Sequence, residues 1–588
     1  MFNRREHPRP QFIREDFLSL DGQWDFAFDD QNEGLKNKWF HQFPESRQIE
    51  VPFTYETQLS GIDEQEQHSV VWYEKTFIVD DLANRVLTFE GSDYYTKVWL
   101  NGELLGDHRG AYERFSFDLA DYLVEGENRI TVRIVDSLMN EQPRGKQTWK
   151  EETFGCWYVG TTGIWKSVWL EKAAFNGLRA VKMTPDFDND CIILEPSVKN
   201  KALLPTDKNY FFEATVTFKG ELVSYHRSLF VHEMSPIQME TRIKKDSNWG
   251  TQRWSPHEPN LYDVTFKLFD ESNNEIDSVV SYFGMRKISI ENGKVLLNNE
   301  QLYQRLILDQ GYWPESGLTP PSIDALEKDL DLTIESGYNG LRKHQKIEDE
   351  RFMYLCDTKG LLVWVEMPST YIFNDLAMTN LADEWRQIVE QHYNHPSVIT
   401  WVPFNESWGV KGIVDLVKPQ QFTESIYYLT KAIDANRPVI TNDGWEHTIS
   451  DILTLHDYEE FGAAFAERYA DKEAIVENDV MFNRDWFAFA KGYGYKGQPI
   501  IISEYGGIAF ENSTEENWGY GNQVKNEADF LERFNRITHA IQDLEYINGF
   551  CYTQLTDVEQ EINGLYTPDR QPKVTIAEIK ATNERRFK

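Results

Sequence analysis

Residues 398–406 read VITWVPFNE and residues 499–506 read PIIISEYG. Each is a near-continuous apolar run too short for a helix, and each closes on a carboxylate. A strand apolar on both sides belongs in a sheet covered on both faces, the condition of a parallel sheet wrapped in helices. Six more runs of this kind surround the two: 302–309, 338–344, 360–367, 438–445, 451–458 and 547–555. Amphipathic stretches such as IDALEKDLDLTIESG, ERFMYLCDTKG and DEWRQIVEQHYNHP separate most of them. Eight strand–helix units within 289–588 predict a closed (β/α)8 TIM barrel. The interval between the fifth and sixth runs holds no helical stretch, so either that repeat is degenerate or one of the eight runs is not a barrel strand.

Upstream the period changes to that of strands alone. VLTFEG, TKVWLNGELLG, NRITVRIVD and IWKSVWLE alternate with turns, which predicts a β jelly roll over 1–173. Asn101-Gly102 tolerates the positive φ values of a type I′ turn and marks a hairpin. FFEATVTFKG and YDVTFKLFD extend the all-β pattern through 174–288, a length suited to one immunoglobulin-like β-sandwich.

The chain has 588 residues and a formal net charge of −36. That surface repels phosphate, so nucleic acid and anionic membranes are not expected partners. The 18 tryptophans suit stacking on sugar rings as well as core filling. Cys156, Cys191, Cys356 and Cys551 form no CxxC pair, which argues against a zinc ribbon or a disulfide framework. The N-terminal MFNRREHPRPQF has no apolar targeting segment and no run is long enough to span a bilayer, so a cytoplasmic location is the expectation.

Barrel chemistry gathers at the C-terminal ends of the strands. The candidates there are Asp309, Arg342, Lys343, His344, Glu366, Asn405, Glu406, Asn442, Trp445, His456, Tyr458, Glu504 and Gln554, with Trp408 just beyond. One Glu at a strand end is ordinarily a solvated rim residue. Two, closing the fourth and seventh runs, face each other across a barrel mouth and match a two-carboxylate glycosidase. Glu406 then serves as acid/base and Glu504 as nucleophile. Asn405 is placed to donate to a sugar hydroxyl and Tyr458 to hydrogen-bond the nucleophile. Trp313, Trp364, Trp408 and Trp445 are expected to line the mouth. His344, His447 and His456 show no HxH or HExxH spacing, so neither a metal nor a cofactor is expected, although a metal-dependent barrel hydrolase is the competing enzyme class.

WVPFNESWG and IISEYGG resemble the acid/base and nucleophile signatures of glycoside hydrolase family 2, which includes β-galactosidases, β-glucuronidases and β-mannosidases. SLDGQWDFAFD, GSDYYTKVWLNGELLGDHRGAYERFSFDL and GIWKSVWLE resemble its N-terminal sugar-binding-type domain, and GYNGLRKHQKIEDERFMYLCDTKGLLVWVEMPS its second and third barrel strands. The resemblance implies a carbohydrate substrate, the same roles for Asn405, Glu406 and Glu504, and a Tyr458 that supports the nucleophile. It also makes a homo-oligomer an expectation. Two departures fall on the sugar side: Asp309-Gln310 replaces a His-Glu pair, and Arg342-Lys343-His344 replaces the usual R-x-S-H. VEQEINGLYTPDRQPK has Asn563 but no Lys two residues on, where β-glucuronidases of the family carry Asn-x-Lys. An exo-acting β-galactosidase is therefore the expectation. A β-glucuronidase, a β-mannosidase and a catalytically silent carbohydrate-binding protein are the alternatives.

Overall fold

The computed structural model describes residues 3–199, 209–230, 236–244, 249–483, 485–510 and 517–585. The N-terminal part packs a six-stranded antiparallel sheet against a four-stranded one. Trp24, Phe26, Tyr73, Phe89, Val132 and Leu170 fill the space between them. Asn101 (φ 54°) and Gly102 (φ 88°) turn the hairpin that their sequence predicts. A second sandwich follows, with sheets of three and four strands closing over Phe212, Val264, Phe266 and Leu194.

The C-terminal part is a seven-stranded parallel sheet curled about its own core, with helices packed on its outer face. Its strands are β1 (Gln304–Asp309), β2 (Gly340–Lys343), β3 (Leu362–Glu366), β4 (Val398–Val402), β5 (Leu453–His456), β6 (Ile500–Gly506) and β7 (Ile547–Thr553). The helices are α1 (Ile323–Glu335), α2 (Glu350–Lys359), α3 (Asp375–His392), α4 (Val417–Ile433), α5 (Gly462–Arg468), α6 (Lys472–Val476), α7 (Glu527–Gln542) and α8 (Ile576–Asn583). Ser322, Asp349, Asn374 and Asn526 cap the N-termini of α1, α2, α3 and α7 with side-chain oxygens that accept backbone N–H groups.

Side chains alternate across each strand, so two cores form. Leu306, Leu308, Leu362, Trp364, Ile399 and Ile501 fill the barrel, joined by Ile288, Val295 and Leu297 of the short sheet that precedes it. Ile307, Leu341, Val363, Ile500 and Ile502 face the other way and pack with Leu330, Phe352, Trp385 and Phe534 of the helix layer. The run at 438–445 forms no regular strand. It still bridges the edges of the sheet: Ile440 N donates to Trp401 O and Asp451 N donates to Val439 O, both at 2.9 Å. Ile440 points into the barrel and Val439 out of it. This is the degenerate repeat, passing to β5 without a helix.

The first domain is tied to the barrel through buried polar groups. Arg114 bridges Glu90 and Glu350, and Ala111 N donates to Glu384 Oε2 at 3.1 Å. Arg144 N and Gly145 N both donate to Ser369 O, at 2.9 and 3.2 Å. These contacts lay residues 140–160 along the barrel mouth. Among the described residues no helix is long and apolar enough to cross a membrane.

Candidate active site

β2 delivers Arg342 into the barrel because Leu341 faces the helices. Its guanidinium is fully buried and reaches four side chains: Glu366 Oε2 (2.6 Å), Glu504 Oε1 (2.6 Å), Asn405 Oδ1 (2.7 Å) and Asp443 Oδ2 (2.9 Å). Bidentate and multidentate contacts of this kind fix carboxylates in orientation as well as charge.

Glu504 reaches the same place by an irregularity. Ile501 faces the barrel, so regular alternation would put Ser503 inside and Glu504 outside. The register slips by one residue between Leu455↔Ile502 and His456↔Glu504, and again against β7. This β-bulge lets both residues point inward, Ser503 to Asp443 Oδ1 at 2.7 Å and Glu504 to Arg342. Tyr458 donates its hydroxyl to Glu504 Oε2. Burial alone would raise the Glu504 carboxyl. The charges of His456 and Arg342 and the Tyr458 hydrogen bond outweigh it and hold the group at about 2.

Glu406 and Ser407 follow β4 with φ of 51° and 60°, in the left-handed region. Two such non-glycine residues in succession carry a cost of about 1–3 kcal/mol each and persist only where neighbours fix them. Here Glu406 N donates to Asp443 O at 2.9 Å and Ser407 N to Asn442 Oδ1 at 2.9 Å. Glu406 Oε1 accepts from His456 Nδ1 at 2.8 Å, and the same nitrogen lies 3.5 Å from Glu504 Oε2. An oxygen of each glutamate and a nitrogen of His456 all fall within 4.8 Å of one another. His456 Nε2 lies 3.2 Å from Asp443 Oδ2. Burial would lower this histidine, but Glu504, Asp443 and the hydrogen bond with Glu406 push it up to about 10, so it is an imidazolium. A Cβ on Gly444 would sit 2.7 Å from its Nδ1, so only glycine leaves it room. The three groups have a metal-like spacing, yet a charged imidazole offers no lone pair; a cation there would first have to displace its proton.

His344 Nδ1 lies 2.8 Å from Glu366 Oε1. Burial, helped by Lys146 and Arg342, drives His344 well below its usual range and keeps it neutral. Burial, opposed by Arg342, pushes Glu366 up to about 7. Trp445 stacks on Trp486 at 4.4 Å and meets His456 edge-on.

Several expected site residues lie elsewhere. Asp309 and Lys343 do not face the mouth. They follow Leu308 and Arg342, which point into the barrel, and so project into the helix layer. There Lys343 Nζ bridges Asp309 Oδ2 at 2.8 Å and Glu348 Oε2 at 2.6 Å, over the Phe352 ring. Trp364 lies inside the barrel core, its Nε1 donating to Gln304 Oε1 at 2.8 Å. Trp313 is buried under Lys346 and Arg570. Residues that the sequence reading passed over are present instead. Asp443 lies in the irregular segment, where Asn442 and Trp445 had been the candidates. Tyr520 stacks on Tyr458 with ring centroids 3.4 Å apart. Lys146 and Glu561 border the mouth, with Tyr158 donating to Glu561. No strand-end signal marks Lys146, which arrives on a loop of another domain.

Comparison with known proteins gives three family matches: "Glycosyl hydrolases family 2, sugar binding domain" over residues 17–173, "Glycosyl hydrolases family 2" over 178–286, and "Glycosyl hydrolases family 2, TIM barrel domain" over 288–586. A β-galactosidase of Thermoanaerobacter pseudethanolicus is 26% identical over 540 residues, covering 87% of this chain and 69% of that protein. A β-glucuronidase of Paenibacillus borealis is 24% identical over 633 residues, covering 98% of each. The structure of a Ruminococcus gnavus β-glucuronidase with D-glucuronic acid aligns with TM-score 0.79 at 17% identity, covering 97% of this chain and 98% of that one. The chain spans 55% of the length of several other curated β-galactosidases that it matches.

Proposed function

Since the chain belongs to glycosyl hydrolase family 2 and is a glycosidase of that family, we propose that it is a retaining exo-β-glycosidase with Glu504 as nucleophile and Glu406 as acid/base. The observation that carries this is the approach of the two carboxylates to within 4.8 Å around His456. Double displacement requires carboxyl groups about 5–5.5 Å apart, whereas inversion needs about 6.5–9.5 Å to admit water between them.

The environments of the two glutamates suit opposite roles. Glu504, ionised and fixed by Arg342 and Tyr458, attacks the anomeric carbon as the bond to the leaving oxygen breaks. Glu406, whose side chain is 21% exposed and reaches the mouth, gives that oxygen its proton. Once Glu504 is esterified, Glu406 takes a proton from the water that attacks the glycosyl-enzyme and Glu504 leaves as the carboxylate. Asn405, oriented by Arg342, faces the sugar beside the reacting centre. The first-formed product anomer, read by NMR, tests the reading. A β anomer from a β-glycoside supports it, and an α anomer refutes it.

For the sugar, a neutral β-galactoside is the first assignment, given the β-galactosidase relatives and the missing Asn-x-Lys. One observation favours a second reading, a uronic acid. Among the described residues Lys146 has no carboxylate within ion-pair distance, although Glu561 and Glu504 are near enough to act on its charge. Burial would lower it, but Cys156, Glu561, Tyr371 and Glu504 keep it protonated. Initial rates on nitrophenyl β-galactoside, glucuronide, galacturonide, mannoside and glucoside separate the two. If a uronide is preferred, Lys146→Met should cost it about ten- to a hundredfold, the loss of one charged hydrogen bond.

A further inference from the structure

Beside Glu406 lies a cluster of five aromatic rings that the chemistry above does not use. Trp149, Phe154 and Trp157 come from the N-terminal domain, Tyr371 from the loop after β3, and Trp408 from two residues beyond Glu406. Trp157 and Tyr371 meet Trp408 edge-on, at 5.5 Å and 86° and at 5.4 Å and 65°. Trp149 lies 4.3 Å from Tyr371 and 4.8 Å from Trp157, and Phe154 stacks on Trp157 at 4.9 Å. Lys150 Nζ sits 3.5 Å over the Phe154 ring and occupies it.

Aromatic clusters that only stabilise a fold are sealed, as are Trp24, Trp72 and Trp169 at 1% exposure or less. This one is open. Trp408 is 36% exposed and the other four rings are half-buried. It is also held in place from both domains. Tyr371 donates its hydroxyl to Gly145 O, its N–H donates to Asn140 O at 3.1 Å, and Trp408 N donates to Asn405 O at 2.9 Å. Gly409, at φ +74°, lets the Trp408 loop close on Thr370, whose Oγ1 would be 2.4 Å from a Cβ there. An exposed ring already locked by its neighbours binds without the entropic cost of ordering it.

We propose that this cluster is the leaving-group subsite, with Trp408 as the contact ring, and that it selects substrates whose leaving group is itself a ring: a second sugar presenting its apolar face, or an aryl group. The proposal rests on the assignment of Glu406 as acid/base. The group protonating the glycosidic oxygen stands on the side from which the leaving group departs, and Trp408 follows it by two residues. Trp157 and Tyr371 set the tilt of the contact ring.

The test compares two substrates of the preferred sugar, the 2,4-dinitrophenyl β-glycoside and the β-glycosyl fluoride. Both leaving groups depart without a proton, so a shift of Glu406 cannot imitate an effect; only one carries a ring. In Trp408→Ala the ratio of kcat/KM for the dinitrophenyl glycoside over the fluoride should fall about tenfold, equivalent to 1.4 kcal/mol of stacking. Trp408→Phe should keep most of the ratio, and Trp157→Ala should lose part of it. An equal fall on both substrates, or none on either, overturns the proposal. A wild-type enzyme inert towards both the dinitrophenyl glycoside and the glycosyl fluoride would refute the hydrolase reading instead. The subsite is then decided by binding. Saturable quenching of tryptophan fluorescence by a phenyl β-glycoside, lost in Trp408→Ala, supports it, and its absence from the wild type overturns it.

Discussion

Replacing Tyr458 by Phe removes one hydroxyl and leaves the ring. The stack on Tyr520, with centroids 3.4 Å apart, is therefore retained, and so is the packing around it. What disappears is a neutral donor to the Glu504 carboxylate. A hydrogen bond to a charged group is worth about 1.5–3 kcal/mol. One pKa unit corresponds to about 1.4 kcal/mol, so the lost bond amounts to roughly one to two units. The sign follows from which form the bond favours. Tyr458 stabilises the ionised carboxylate, so its loss moves Glu504 upward from about 2. The acid limb of kcat/KM reports the nucleophile of the free enzyme, and in Tyr458→Phe it should move into the pH 3–4 range by roughly that amount. Hydrolysis of the glycosyl-enzyme, in which Glu504 departs as a carboxylate, loses the same bond and should slow by up to about a hundredfold. The assay is the pH dependence of kcat/KM with a nitrophenyl glycoside, beside a thermal melt to show that the fold is intact. A rate that falls while the acid limb stays in place would refute the reasoning, since the hydroxyl would then act on something other than the charge of Glu504.

Glu504→Ala should lower kcat by at least about four orders of magnitude, as expected for removal of a nucleophile, and azide should restore turnover with an α-glycosyl azide as product; residual β product would exclude the assignment. Glu406→Ala should lose about 10²–10⁴-fold on glycosides with poor leaving groups and much less on dinitrophenyl glycosides, and a loss independent of the leaving group would remove Glu406 from the acid role. His395, gripped by Asp357 Oδ2 at 2.6 Å and Glu350 Oε2 at 2.9 Å, gives a stability prediction. Burial would lower it, but the two carboxylates raise it to about 9, above its ordinary 6.5. Its contribution is thus complete below pH 6.5 and fades as the pH rises through about 9. The Tm difference between wild type and His395→Gln should narrow over that window, and a difference constant with pH would mean that His395 is neutral throughout.

The architecture was legible because period and chain order are local properties. Alternating residues mark the first two domains, and apolar runs separated by amphipathic stretches mark the barrel, down to the missing helix before β5. Glu406, Asn405, His456 and Tyr458 were legible for the same reason, each standing where a strand ends. Side-chain direction is less accessible, because it depends on parity and on register slips that composition does not encode. Asp309 and Lys343 end their strands as surely as Glu406 follows β4. One residue of alternation nevertheless sends both into the helix layer, where they neutralise each other. Glu504 would have been lost by the same count, and only the bulge in β6 returns it to the mouth. Asp443 escaped notice because it lies on a segment that is barrel-like in its hydrogen bonds and irregular in its sequence. Lys146, Trp149 and Trp157 could not be found by reading the barrel at all. They belong to a different domain, and their nearness to Glu406 and Glu504 comes from the buried polar contacts that dock Arg114 and Arg144 onto the barrel. The positions of the two candidate glutamates along the chain thus follow from the barrel's own repeat, with the bulge in β6 turning Glu504 inward, whereas their surroundings come from contacts distant in sequence. It is for that reason that the reaction type is easier to read from this chain than the sugar.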